Sequence, residues 1–270
     1  MAETIRRLAL GLEYDGTDFV GWQTQRSART VQETLAEAVS RVANQPVIIA
    51  GSGRTDAGVH ASYQVAHFDS TATRTPRQWA LGINSNLPGD VVVKWAREVD
   101  SDFDARRSAL LRCYRYSIME CDTRPALLRH RSWWLRETLD CGAMAAAAAA
   151  LLGEQDFSAF RAAGCQSHTP MRHLVSIGVR RADSLLRLDF TANAFLQHMV
   201  RNLVGVLTEI GRGQAKSSWA GEVLASRDRS KGGVTAPPQG LELIRVTYPD
   251  RYDLPLPSFD GPTDATAMVR

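Results

Sequence analysis

Asp56 is the residue that its neighbours best equip for chemistry. It lies in the stretch from Ala50 to Ser70, AGSGRTDAGVHASYQVAHFDS, with Arg54 two residues before it and Gly51, Gly53 and Gly58 around it. An arginine this near favours the ionised carboxylate. An ionised carboxylate can act as a nucleophile or as a general base. Glycines carry no Cβ, so they permit unusual backbone angles and let a large ligand approach closely. The same residues have a plainer reading. Asp-Ala-Gly is an ordinary turn sequence, and Arg-x-Asp on a loop can be a structural ion pair and nothing more.

The flanking residues say how such a carboxylate would be held. Pro46 to Ala50 reads as a short buried strand and Tyr63 to Phe68 as the next one, which puts Asp56 on a loop between strands. Before them, Leu8, Leu10, Leu12 and Tyr14 alternate in a strand from Arg7 to Tyr14, ended by the turn Asp15-Gly16. Thr30 then opens a helix with a capping box to Glu33, and Val31, Leu35, Val39 and Val42 supply its buried face. Thr75-Pro76 starts a second helix, running through Ala80 to Ile83. After Asn86-Leu87-Pro88-Gly89-Asp90 comes a strand from Val91 to Val99. The order strand, helix, strand, strand, helix, strand predicts an α+β layer with an antiparallel sheet.

The chain repeats this general order after a charged joint at 97–108. A strand from Arg112 to Met119 puts Tyr114, Tyr116 and Ile118 on one face and Cys113, Arg115 and Ser117 on the other. Then follow an arginine-rich loop with Trp133 and Trp134, a helix from Cys141 to Leu152 and a hairpin of Met171–Arg180 with Ser184–Thr191. A long helix is expected from Asn193 to Ile210, and a last strand from Leu241 to Tyr248. The expected organisation is two similar α+β sub-domains, 1–105 and 106–250, each a mostly antiparallel sheet with helices on one face. A cleft would lie between them, and 251–270 would form an extended tail.

Composition narrows the classes. With 270 residues, 44% hydrophobic and 23% charged, the chain fits a soluble globular protein. It has no apolar run of about 18 residues, so no membrane span is expected. The N-terminus lacks an apolar signal core, which points to the cytoplasm. Cys113, Cys121, Cys141 and Cys165 form no C-x-x-C pair, and the six histidines form no H-E-x-x-H. Neither a disulfide framework nor a metal site is expected. His60 and His67 read as packed or hydrogen-bonded side chains. Of the 32 basic residues 29 are arginine, an excess that a GC-rich genome would also produce. Their distribution says more. Eight arginines against two acids fall between Arg106 and Arg136, as on a phosphate-facing surface.

Gly53-Arg54-Thr55-Asp56-Ala57-Gly58-Val59-His60-Ala61 resembles the signature loop of the tRNA pseudouridine synthase A family. The likeness extends along the chain. It takes in Asp15-Gly16-x-x-Phe19-x-Gly21-Trp22-Gln23, Phe103-Asp104-Ala105-Arg106, Arg112-Cys113-Tyr114-Arg115-Tyr116, Asp156-Phe157-x-x-Phe160 and His198-Met199-Val200-Arg201-Asn202. The resemblance implies an isomerase that converts uridines at tRNA positions 38 to 40 to pseudouridine, acts as a homodimer and needs no cofactor. It makes Asp56 the essential catalytic residue and puts Arg201 near it, while Arg54 is expected either to pair with Asp56 or to fill the space that the extruded base vacates. Tyr114 would meet the target nucleotide, and Arg106, Arg112 and Leu241 complete the substrate-binding set. Two other classes share parts of this pattern. One is an RNA-binding protein without catalysis, which needs no such acid. The other is a hydrolase, which needs a second acid, and Asp69 is the only one close by.

Overall fold

The computed structural model describes residues 4–258. The chain divides into two compact units, one made of the residues up to Leu110 with Leu243–Ser258, the other of Leu111–Glu242. The first unit therefore takes most of a strand from near the C-terminus. Of the expected tail, residues 259–270 lie outside the described residues.

The elements of the first unit are β1 (Arg6–Tyr14), α1 (Val31–Ala43), β2 (Ala50–Gly51), β3 (His60–Ser70), α2 (Pro76–Asn84) and β4 (Val91–Val99). This is the order read from the sequence. β1 lies between β3 and β4 and pairs antiparallel with both. Leu8, Leu10 and Leu12 are all but fully buried, as their alternation predicts. α2 carries a complete capping box in which Thr75 accepts from Gln78 N–H and the Gln78 side chain accepts from Thr75 N–H. The box expected at Thr30 is absent. Thr30 is wholly buried, its hydroxyl has no partner, and the helix's first N–H groups go elsewhere. Val31 N–H donates to Gly21 O and Gln32 N–H to Trp22 O, so the preceding loop caps α1.

The expected strand from Pro46 is shorter than its apolar pattern suggests. Only Ala50 and Gly51 pair, opposite His67 and Ala66. Upstream, Val47 N–H donates to Ser40 Oγ and Ile49 O accepts from Gln32 Nε2. α1 side chains thus occupy groups that a ladder would need.

The second unit contains β5 (Leu111–Glu120), β6 (Trp133–Leu135), α3 (Cys141–Ala148), β7 (Gly153–Asp156), β8 (Met171–Ala182), β9 (Leu185–Ala192), α4 (Met199–Gly211) and α5 (Trp219–Ser226). Its sheet runs β5-β9-β8-β7 with antiparallel pairs, and β6 joins β5 as a short parallel strand. β6, β7 and α5 are not foreshadowed by the sequence pattern. α3 is one turn shorter than expected, because Ala149–Leu151 tightens into a 3-10 turn before Gly153 at φ 87°. α4 begins at Met199 and not at Asn193. His198 takes a left-handed φ of 60°, which a helix interior excludes. Finally β10 (Leu241–Thr247) lies beside β3 in the first unit's sheet. Both units are thus α+β, with sheets of largely antiparallel strands.

Candidate active site

Asp56 sits on the loop between β2 and β3, part-exposed, with Arg54 exposed two residues away. Hydrogen bonds fasten this loop along its length. Trp22 N–H donates to Thr55 O at 3.0 Å and Gly58 N–H to Phe19 O at 3.2 Å. Gln64 Nε2 donates to Gly53 O at 2.9 Å, and the Ser52 hydroxyl donates to Gln64 Oε1. The hydroxyls of Tyr14 and Thr55 meet at 2.8 Å. The loop around Asp56 is therefore bonded down, while Asp56 itself is part-exposed. That is how a fold holds one carboxylate in a fixed, accessible place.

Two features of the preceding loop make this possible. Gly21 has φ 82°, and a Cβ there would stand 2.6 Å from Thr55 O. Only glycine lets the two loops touch. Trp22 lies fully buried against Gly51 and beside Tyr14, with ring centroids 6.2 Å apart. Trp22 is thus a floor for the loop and not an exposed stacking surface. The two histidines are also internal: His60 Nδ1 accepts from Gly16 N–H at 3.0 Å and His67 Nδ1 from Ala105 N–H at 3.1 Å.

Burial raises the Tyr14 hydroxyl to about 12, and its bonds to Thr55 and Gln64 oppose that rise. The phenol is therefore a neutral strut at any ordinary pH. Sequence reasoning passed over Tyr14, Thr55 and Gln64 as site residues. The signal available was a tyrosine ending a strand whose middle is apolar, since a buried phenol needs a partner.

Arg106 is exposed, on a turn of the first unit. Its backbone is firmly set: Asp104 Oδ1 accepts from the N–H groups of Arg106 and Arg107 at 2.9 and 2.8 Å. Ala105 O accepts from the Tyr248 hydroxyl at 2.6 Å. Asp69 is held by Arg7 through two bonds of 2.7 Å, and this pairing lowers its carboxyl below the usual range. An acid so committed is unsuited to protonate a leaving group.

The remaining candidates belong to the second unit. On β5, Tyr114 and Arg112 are both buried. Tyr114 meets the edge of Phe195 at 5.2 Å, and Arg112 Nη1 donates to Asn193 O at 2.7 Å. The turn after β9 that carries Asn193 and Phe195 thus covers the start of β5. Asn193 Oδ1 fixes this turn by accepting from His173 and Ala194 N–H groups. Arg201 is part-exposed in the first turn of α4, and its Nε donates to Ala236 O at 2.7 Å. Leu241 opens β10, buried. Among the described residues no group of three or more His, Cys, Asp or Glu side chains could hold a metal ion.

The chain that builds this α+β fold and its fastened Asp56 loop matches a known family in sequence. The family model described as tRNA pseudouridine synthase matches residues 12–106 and 147–249. The chain belongs to the tRNA pseudouridine synthase family. Three relatives named tRNA pseudouridine synthase A are similar over nearly their full length. That of Nitrosococcus oceani is 51% identical over 249 residues, covering 92% of this chain and 96% of the relative. That of Coxiella burnetii is 50% identical over 249 residues, covering 92% and 95%. That of Enterobacter sp. (strain 638) is 49% identical over 253 residues, covering 94% of each.

Proposed function

We propose that this protein converts uridine to pseudouridine at positions 38 to 40 of the tRNA anticodon arm, with Asp56 as its essential catalytic group. The observation that carries this is the Asp56 loop itself. A part-exposed carboxylate on a backbone pinned at Gly53, Thr55 and Gly58 suits a reaction with one acidic group and a bulky substrate.

The chemistry is internally balanced. The bond between ribose C1′ and uracil N1 breaks, the base turns, and C5 bonds to C1′. The C5 proton leaves and N1 takes one up, so product and substrate are isomers and no oxidant or triphosphate is consumed. Asp56 either attacks C1′ or removes the ribose 2′-proton. Both roles need the ionised form and one carboxylate. The target base must leave its stack to reach the site. The resemblance assigns Tyr114 to the target uracil and Arg201 to the charge of the acid. Arg54 pairs with Asp56 or fills the space that the base vacates.

The substrate is recognised by phosphates and shape, through the exposed arginines between 106 and 136, Arg106 among them. The resemblance adds Arg112 and Leu241, both buried, to the substrate-binding set. The family likeness also supports a homodimer and a cytoplasmic site of action. No helix among the described residues is long and apolar enough to cross a membrane. The test is tritium release from a tRNA transcript carrying [5-³H]uridine. The native protein should release label, Asp56→Ala should not, and replacing U38 to U40 should abolish the signal. A native protein that binds the transcript and releases nothing would point to the RNA-binding alternative.

A further inference from the structure

Between α5 and β10 the chain runs as a strap, residues 232–240, over the first turns of α4. Gly205 lets it lie there, for a Cβ at that position would come within 1.8 Å of Val234 O. Ala236, fully buried, bonds to Arg201 twice: its N–H donates to Arg201 O at 3.1 Å, and its O accepts Arg201 Nε at 2.7 Å. The next residue in the strap, Pro237, offers its O to the buried Tyr116 hydroxyl at 2.8 Å. Tyr116 shares a face of β5 with Tyr114, so one short segment ties Arg201 to the strand of Tyr114 and leads directly into Leu241.

What fixes the strap is a closed triangle of polar side chains. Thr235 Oγ1 donates to Asn202 Oδ1 at 2.7 Å, and Arg229 Nη2 donates to Thr235 Oγ1 and Asn202 Oδ1, at 2.9 and 3.1 Å. Asn202 is itself buried and anchored by a bond of 2.8 Å from Nδ2 to Phe160 O. A buried asparagine on an otherwise apolar helix face needs such partners. Here its partners are the residue before Ala236 and an arginine at the strap's base. The triangle therefore sets the carbonyl that aims the Arg201 guanidinium.

We propose that Asn202, Thr235 and Arg229 are positioning residues for the isomerisation, acting through Ala236 on Arg201. The proposal rests on the reading of Arg201 given above. A double-mutant cycle separates the two. Thr235→Val keeps shape and removes the hydroxyl. It should slow single-turnover tritium release by about tenfold to a hundredfold, the cost of a misplaced catalytic partner, with tRNA affinity unchanged. Thr235→Ser should recover most of the rate, and Arg229→Gln should reproduce the loss from the base of the strap. In an Arg201→Ala background, Thr235→Val should add less than about twofold, because the residue it acts through is gone. A loss of equal factor in both backgrounds would overturn the proposal, as would a change in affinity alone. If Arg201→Ala retains the native rate, the reading of Arg201 fails as well. Equal loss in the two backgrounds with Arg201→Ala strongly impaired would leave that reading intact and remove only the strap's role.

Discussion

The hydroxyl of Tyr14, the last residue of β1, lies 2.8 Å from that of Thr55, the residue before Asp56, and both side chains are buried. This contact couples the protein's stability at high pH to its candidate catalytic loop. A phenol is uncharged while it holds its proton, and burial raises Tyr14 to about 12 from an ordinary value of 10. The bound proton therefore stabilises the fold fully below about pH 10, and that contribution disappears as pH climbs through about 12. A rise of this size corresponds to about 3 kcal/mol at most. The sign follows from the phenol's charge: above about pH 10 the unfolded chain ionises first, so stability falls. Tyr14→Phe should make the alkaline fall in stability shallower. At neutral pH it should cost about 1–3 kcal/mol, because the Thr55 hydroxyl is left without its partner. Urea unfolding from neutral pH to about pH 11 reads both effects; identical alkaline falls in the two proteins would sink the prediction.

Asp56→Asn tests charge apart from shape. The amide has the same size and neither attacks C1′ nor takes a proton, so turnover should drop by at least about three orders of magnitude. Binding of tRNA should hold within about threefold, since phosphate contacts lie elsewhere. Filter binding and tritium release on the same preparation give the comparison. A variant with a tenth of native turnover would show that the carboxylate is not the reacting group.

Gly21→Ala should misplace the loop without touching Asp56. Its Cβ would enter the space of Thr55 O, and its φ of 82° disfavours any other residue. The expected cost is about 1–3 kcal/mol of stability. Turnover should fall by about a hundredfold, as for a catalytic group displaced by an ångström. Gly213, also at positive φ but with nothing near its Cβ, provides the control for backbone strain alone. If both alanine variants lose turnover equally, the close approach to Thr55 is not what matters.

Tyr114 carries the stacking assignment, and two substitutions divide ring from hydroxyl. Tyr114→Phe keeps the ring that meets Phe195 and should retain most of the activity. Tyr114→Ala should lose about tenfold to a hundredfold in kcat/KM, the worth of one stacked base. Full turnover in both variants would end the stacking role.

What the sequence disclosed depended on how local the determining contacts are. β4 was readable to the residue because Pro88 and Gly89 break the helix before it and the apolar run Val91-Val92-Val93 starts it, all local signals. The Asp56 loop was readable because its glycines, arginine and acid sit within one short segment. The contacts that hold that loop were not: Tyr14 and Thr55 lie 41 residues apart, and no periodicity links them. Local signals also misled where tertiary contacts outweighed them. Thr30 and Glu33 spell a capping box, yet Gly21 O and Trp22 O already satisfy the helix end. Phe195 and Met199 have helical spacing, yet Asn193 bonds its side chain into a turn and His198 adopts a left-handed backbone. The strap over α4 was invisible for the same reason as the Tyr14 contact, since Thr235 meets Asn202 across 33 residues.

The arginines beyond β5 yield the last prediction. Between Asp122 and Ser132 the chain forms a mostly exposed loop, tied at its ends by Cys121 N–H donating to Leu135 O and Trp134 Nε1 donating to Cys121 O. Arg124, Arg129 and Arg131 are exposed on it, and Leu127 is 94% exposed. Asp122 is the only acid within that loop. A loop so basic and so exposed fits a contact with phosphates, although Arg129 also donates to Ala126 O at 2.9 Å within it. Removal of one cation from a phosphate should flatten the slope of log affinity against log salt by about 0.7 to 0.9. Replacing the three arginines by alanine should therefore weaken tRNA binding at moderate salt and reduce the slope by about 2 to 3, with the protein still folded cooperatively. Binding measured from about 50 to 200 mM salt covers the range where the effect is large. An unchanged slope would place the phosphate contacts on other residues and leave this loop without a part in recognition.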